Sequence, residues 1–136
     1  MSLESGSYNA TVLDHFRNPR NAGELPNANA VGEERNPVCG DHMRLMLRIE
    51  DGVITAARFL TKGCGAAIAT SSIATEMLQG RRVSEARTLQ REDFVEAVGG
   101  LPPSKVHCSV LAAGALRKAL HLYESQGRTD ADQCTS

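Results

Sequence analysis

Cys39, Cys64 and Cys108 each stand in a setting suited to metal–thiolate chemistry. Cys39 lies in Asn36-Pro37-Val38-Cys39-Gly40-Asp41, Cys64 in Gly63-Cys64-Gly65, and Cys108 closes Lys105-Val106-His107-Cys108. Glycine beside a thiol lets backbone and metal approach closely, because no Cβ intervenes. Cys64 and Cys108 are expected in the opening turns of helices. The partial positive charge there lowers a thiol pKa, and Lys105 and His107 lie beside Cys108. Thiolates bind zinc at about 2.3 Å and also hold iron in iron–sulfur clusters. Three cysteines leave a fourth position, for which His107 and Asp41 are the candidates. A carboxylate is a hard, weakly held ligand at a soft site, so Asp41 would keep the bound metal exchangeable.

Each of these residues has a plainer reading. A free cysteine is often a small buried apolar residue, but three of them at Gly- or His-flanked boundaries argue for ligands. His107 alone would be a surface or capping histidine, Asp41 a turn former and Lys105 a solvated helix residue. His15, His42 and His121 carry no ligand pattern and are expected in solvent. Cys134, in a polar tail, is expected to be an exposed bystander.

The elements that would position these groups are legible in outline. Residues 41–50 alternate: Met43, Leu45, Leu47 and Ile49 fall on one side, Arg44, Arg48 and Glu50 on the other, which is a half-buried strand. Asp51-Gly52 follows, and Gly tolerates the positive φ of a type I′ turn, so residues 53–61 return as the second strand of an antiparallel hairpin. A hairpin brings its ends together. Cys39 and Cys64 should therefore meet at one end of the sheet although 25 positions separate them. A short strand is expected near Val31, within the loop-rich residues 21–36. Helices are expected over residues 8–17, ended by Asn18-Pro19; over 66–79, with Ala69, Ile73 and Met77 on one face and Gly80 as the stop; over 91–97; and over 104–124, whose face includes Leu111, Ala115 and Leu122, with Leu116, Ala119 and Leu120 beside it. The fold class is α+β: a small antiparallel sheet of about three strands packed against several helices, the C-terminal one long. One domain over residues 1–136 is expected, with 1–7 and 126–136 disordered.

Bulk properties exclude other classes. The chain has 136 residues, 41% of them hydrophobic and 23% charged, as in an ordinary globular domain. Its formal net charge of −1 suggests neither nucleic acid nor an acidic membrane as partner. No apolar run approaches the roughly 20 residues that span a bilayer. The start of the chain lacks the features of a secretory signal or an organelle presequence. The expected location is therefore the cytoplasm, or an organelle in mature form, where thiols serve as ligands rather than disulfides.

Several segments together resemble the IscU/NifU-type iron–sulfur scaffold proteins. Asp14-His15-Phe16-Arg17-Asn18-Pro19-Arg20-Asn21 looks like the start of that family. The Cys39 and Cys64 segments, the latter running on through Ala66-Ala67-Ile68-Ala69-Thr70-Ser71-Ser72, are similar to its first and second cysteine motifs. Leu101-Pro102-Pro103-Ser104-Lys105-Val106-His107-Cys108-Ser109 resembles its third. The likeness spans residues 8–123. It implies that Cys39, Cys64 and Cys108 hold a transient [2Fe–2S] cluster, with His107 or Asp41 as fourth ligand and Asp41 keeping the cluster labile. It implies Cys108 as acceptor of sulfur from a cysteine desulfurase. Leu101, Pro102, Pro103, Ser104 and Lys105 would be a docking site for an Hsp70-type chaperone with its J-type co-chaperone, although the family usually has Val at the place of Ser104. The remaining implied partners are a ferredoxin-type electron donor and the apo iron–sulfur proteins that receive the cluster. Ferrous iron would be cargo, and zinc could fill the site on purification. The protein would be a scaffold rather than an enzyme.

The main alternative is the SufU-like zinc-dependent sulfur acceptor, which also carries Asn-Pro-x-Cys-Gly-Asp. That branch has an insertion before its third cysteine and usually lacks the preceding His. Here 44 positions separate Cys64 from Cys108, and His107 is present. A structural zinc module would leave Asp41 without a role, and a zinc hydrolase would lack a general base beyond Asp41.

Overall fold

The computed structural model describes residues 9–37, 40–101 and 105–125. Cys39, Cys134, Pro102, Pro103, Ser104 and the two tails expected to be disordered lie outside the described residues. The elements run α1 (Ala10–Arg17), β1 (Ala30–Arg35), β2 (His42–Glu50), β3 (Val53–Lys62), α2 (Gly65–Leu78), α3 (Val83–Ala86), α4 (Arg91–Ala97) and α5 (His107–Ser125). The strands form one antiparallel sheet in the order β1-β2-β3. The α+β expectation holds, with the long helix last. Among the described residues the one element not foreseen is α3, a four-residue turn of helix too short to carry a periodic signal.

The β2–β3 turn is as its dipeptide requires: Asp51 and Gly52 have φ of 54° and 75°. Beyond it, Met43, Leu45 and Leu47 pair with Thr61, Phe59 and Ala57 and face the helices. The outer edge of β3 is covered. Gly23 N–H donates to Phe59 O at 2.9 Å, and Gly80 N–H to Ile54 O at 2.7 Å. Met46 points away from the helices, opposite Val31 and Arg58, yet is buried.

Helix α5 lies against β1 at backbone distance. A Cβ on Gly32 would overlap the carbonyl oxygen of Ala115 and come within 2.6 Å of Ala119 N. Only glycine on the strand and alanines on the helix permit that approach. The buried stripe of α5 runs through Cys108, Ala112, Ala115, Ala119 and Tyr123. Leu122, expected on this face, is exposed at its margin beside Glu34 and Lys118. Helix α2 also departs from the simple amphipathic expectation. It buries Ala66, Ala69, Thr70, Ser72, Ala74 and Thr75 on several sides, while Ile73 and Met77 are only partly covered. It is enclosed by α1, β3, α4 and α5, so small and hydroxyl side chains suit it better than one apolar stripe.

His15 is a further correction. It is buried, not solvated, with Nδ1 2.7 Å from Ser72 Oγ and Nε2 3.6 Å from Glu76. The Arg20 amide donates to the same Ser72 hydroxyl at 2.8 Å. This network ties α1 to α2, and it explains why burial holds the His15 pKa below its usual value. His42 is half-buried against Glu33 at 3.0 Å, and His121 is exposed as expected.

Candidate metal centre

Three chain segments deliver side chains to one end of the sheet. Asp41 immediately precedes β2, Cys64 follows β3, and His107 and Cys108 open α5. The hairpin supplies the first two, because β2 begins where β3 ends: His42 pairs with Lys62. The α5 N-terminus is carried over them by its packing on β1. Asp41, His107 and Cys108 place ligand atoms within 4.8 Å of one another. His107 Nε2 is 3.3 Å from Asp41 Oδ2 and 3.8 Å from Cys108 Sγ. Cys64 Sγ is 3.9 Å from Asp41 Oδ2. Among the described residues, the structure thus brings together four of the five expected ligands; Cys39 lies outside them. Lys105 is close enough to act on both thiols, and Leu101 packs on the small cluster that contains Cys108.

The loop that bears Cys39 is closed at its base. Asn36 N–H donates to Asp41 O at 2.8 Å and Gly40 N–H to Asn36 O at 2.7 Å. Gly40 has φ of 81° and open space around it, so its glycine serves the turn. Gly63 serves a different purpose. A Cβ there would sit 2.8 Å from Asp41 Cγ and 3.1 Å from Ala67 Cβ. The group that approaches this glycine is the Asp41 carboxyl, and Asp41 is only 7% exposed. That dependence of Asp41 on Gly63 was not foreseen. The signal available was Gly63 beside a cysteine, but no local rule names its distant neighbour.

The two described cysteines are not equivalent. Cys64, the N-cap of α2, is partly exposed, and its pKa is lowered from 9.0 to about 5. The main cause is the Cys108 thiol donating a hydrogen bond to it, and the Ala67 amide and the Lys105 cation act in the same direction. Cys108 is 0% exposed and its pKa is raised: it keeps the proton it shares with Cys64, burial disfavours its charge, and Asp41 is near. The expectation of a lowered pKa at Cys108 is therefore overturned. Helix-terminus charge and Lys105 are outweighed by burial and by a neighbouring thiolate. A metal that takes both sulfurs must displace that shared proton.

The donor set is two thiols, an imidazole and a carboxyl, and one of its thiols, Cys108, packs in a buried apolar cluster with Val12, Ala66, Ala67 and Val98. Mixed soft and hard donors of this kind suit an exchangeable thiophilic metal rather than a hard cation. Fold and site together define a class of α+β protein that presents a thiolate-rich metal site at the end of a three-stranded sheet. The chain belongs to the NifU-like N terminal domain family, whose model matches residues 7–130. It is 48% identical over 124 residues to the iron-sulfur cluster assembly scaffold protein IscU 1 of Archaeoglobus fulgidus, covering 90% of this chain and 81% of that one. It is 42% identical over 124 residues to the IscU scaffold protein of Escherichia coli, covering 88% and 96%. The crystal structure of a NifU-like N-terminal protein from Brucella abortus shares the fold, with a TM-score of 0.71 at 20% identity over 87% of this chain and 94% of that one. Among the described residues no helix is long and apolar enough to cross a membrane.

Proposed function

We propose that this protein is a scaffold on which an iron–sulfur cluster is assembled and from which it is passed on. The observation that carries this is the convergence of Asp41, Cys64, His107 and Cys108 from three separate segments, in a chain whose curated relatives are named as such scaffolds. The cluster is [2Fe–2S], held as cargo on Cys39, Cys64 and Cys108 with His107 or Asp41 completing the set. Asp41 is the weak member that keeps it exchangeable.

Sulfur comes from a cysteine desulfurase persulfide. Cys64, the part-exposed thiolate, attacks the outer sulfur and releases the desulfurase thiolate. The sulfane sulfur then passes to Cys108 by a second exchange within the thiol pair. Both exchanges leave its oxidation state unchanged, so sulfide forms only when a ferredoxin-type donor supplies two electrons per sulfur. Transfer to apo-proteins is assisted by an Hsp70-type chaperone and J-type co-chaperone acting on Leu101, Pro102, Pro103, Ser104 and Lys105. A chaperone shifts such a site only by its differential affinity for the loaded and unloaded conformations.

The test is iron and acid-labile sulfide per chain after anaerobic incubation with ferrous iron, cysteine, a cysteine desulfurase and a reductant, followed by desalting. Matched iron and sulfide that disappear as an added apo-ferredoxin gains colour support the scaffold. Persulfide on Cys64 or Cys108 with zinc but no retained iron would replace it with a zinc-dependent sulfur acceptor. Cys108→Ser is expected to abolish cluster retention.

A further inference from the structure

Helix α5 and the turn after α3 enclose a cavity of about 270 Å³. The α5 wall carries Ala113, Leu116, Arg117, Leu120, His121 and Glu124, at helical spacings of three and four, so they share one face. Ala86, Arg87 and Leu89 form the facing wall. Ala86 and Ala113 are both small, and space that longer side chains would fill is left open. The floor is apolar: Leu116 and Leu120 belong to the main core, and Leu89 packs against it. The facing wall is held in shape by its own backbone. Arg87 N–H donates to Val83 O at 3.0 Å, Thr88 N–H to Glu85 O at 3.1 Å and Leu89 N–H to Ala86 O at 3.2 Å. The cavity is separate from the metal centre: Arg117 lies nine residues beyond Cys108 on α5, a rise of about 14 Å.

The rim is charged, and its charges do not cancel. Three carboxylates line the hollows that Arg117 borders, and each already has a cation. Arg87 reaches across from the facing wall to pair with Glu124. Glu34 is held by Lys118 at 2.5 Å, and Glu92 by Arg91 at 3.2 Å. Arg117 is exposed and makes no ion pair with any described residue. His121, one turn further along α5, is exposed beside it. The apolar floor is therefore bordered by a guanidinium whose fork of N–H donors has no carboxylate to hold.

We propose that this cavity binds a small amphipathic monocarboxylate, with its carboxylate on Arg117 and its apolar body against Leu89, Leu116 and Leu120. Small-ligand sites combine an apolar lining with a few convergent polar groups, and a guanidinium takes a carboxylate through two parallel hydrogen bonds. The volume limits the size of the body. It equals about nine water molecules' share of the liquid, at about 30 Å³ each, which suits a short acyl chain or a single ring. Glu124 limits the charge. A phosphate monoester would bring a second negative charge toward that carboxylate, whereas a monocarboxylate brings one, and Arg117 takes it.

The test titrates isotope-labelled, metal-free full-length protein with octanoate and follows its amide signals by NMR. Saturable shifts are expected at Leu89, Ala113, Leu116, Arg117 and Leu120. 1-Octanol has the body without the charge, and inorganic phosphate the charge without the body; each should bind at least about fivefold more weakly. Arg117→Gln, a change to an exposed side chain that leaves the core intact, should weaken octanoate binding at least about fivefold and leave that of octanol unchanged. Arg58→Gln, on the sheet, should alter neither. No saturable shift at millimolar octanoate, shifts that map elsewhere, equal binding of octanol, or equal loss with both arginine variants would overturn the proposal. So would phosphate moving the same signals as strongly. If removing residues 126–136 moves the Leu89 and Ala113 signals, the chain's own tail fills the cavity and the proposal falls. Because no iron or sulfide is involved, the result is independent of whether the chain retains a cluster.

Discussion

Gly63→Ala separates the position of Asp41 from its chemistry. The added Cβ would stand 2.8 Å from Asp41 Cγ and 2.9 Å from Oδ1, with Ala67 Cβ at 3.1 Å blocking the other side. Carbon atoms rest about 3.5–4.0 Å apart, so the carboxyl must retreat by about 0.7 Å or more. It is not free to do so. His107 holds its Oδ2 at 3.3 Å, Cys64 Sγ stands 3.9 Å from the same oxygen, and its carbonyl accepts from Asn36. Overpacking of this kind costs about 1–3 kcal/mol, read by urea unfolding of the metal-free protein. If the clash is with Asp41, most of that cost vanishes when Asp41 is already alanine, giving a coupling of about 0.5–3 kcal/mol in the double-mutant cycle. In the loaded protein, transfer to an apo-ferredoxin, followed by its visible circular dichroism, should slow as Asp41 moves off the site. Changes in groups that orient ligands typically alter metal affinity or activity about 10–100-fold. Asp41→Ala should slow it at least as much. Equal destabilisation by Gly63→Ala with and without Asp41 would refute the packing argument, and an unchanged transfer rate in Asp41→Ala would refute its link to lability.

Three further outcomes are expected. Gly32→Ala puts a methyl into the α5 backbone, which cannot yield as a side chain can, so its cost should exceed the usual overpacking range of about 1–3 kcal/mol or abolish folding, as read by urea titration. The His15 pKa is lowered in the folded state from 6.5, so the unfolded chain takes up that proton first. Stability from this residue is present above 6.5 and is lost as pH falls toward the lower folded value; thermal melts of His15→Gln should show a shallower acid slope than the parent. In the metal-free protein Cys64, with its pKa near 5, should alkylate before Cys108 at neutral pH, located by peptide mass. Cys108→Ala should move the Cys64 pH–rate midpoint upward, and an unmoved midpoint would contradict the shared proton.

Much of this was legible in the residues alone. The alternation from Met43 to Ile49 and the Asp51-Gly52 turn act over neighbouring positions, where side-chain period and φ preference suffice. They also bring the ends of the hairpin together, which is why Cys39, with Asp41 two positions on, and Cys64 could be expected at one end of the sheet, where the structure places Asp41 and Cys64. The tertiary structure alone decided the rest. Whether His15 meets Ser72, 57 positions away, whether α5 touches the backbone at Gly32, and whether Cys108 hands its hydrogen bond to Cys64 depend on how whole elements pack. The same thiol beside the same lysine is lowered or raised according to burial and the charge across from it. Residue type and local spacing set which chemistry is available; desolvation and distance, which exist only once the chain has folded, set which atom carries the charge.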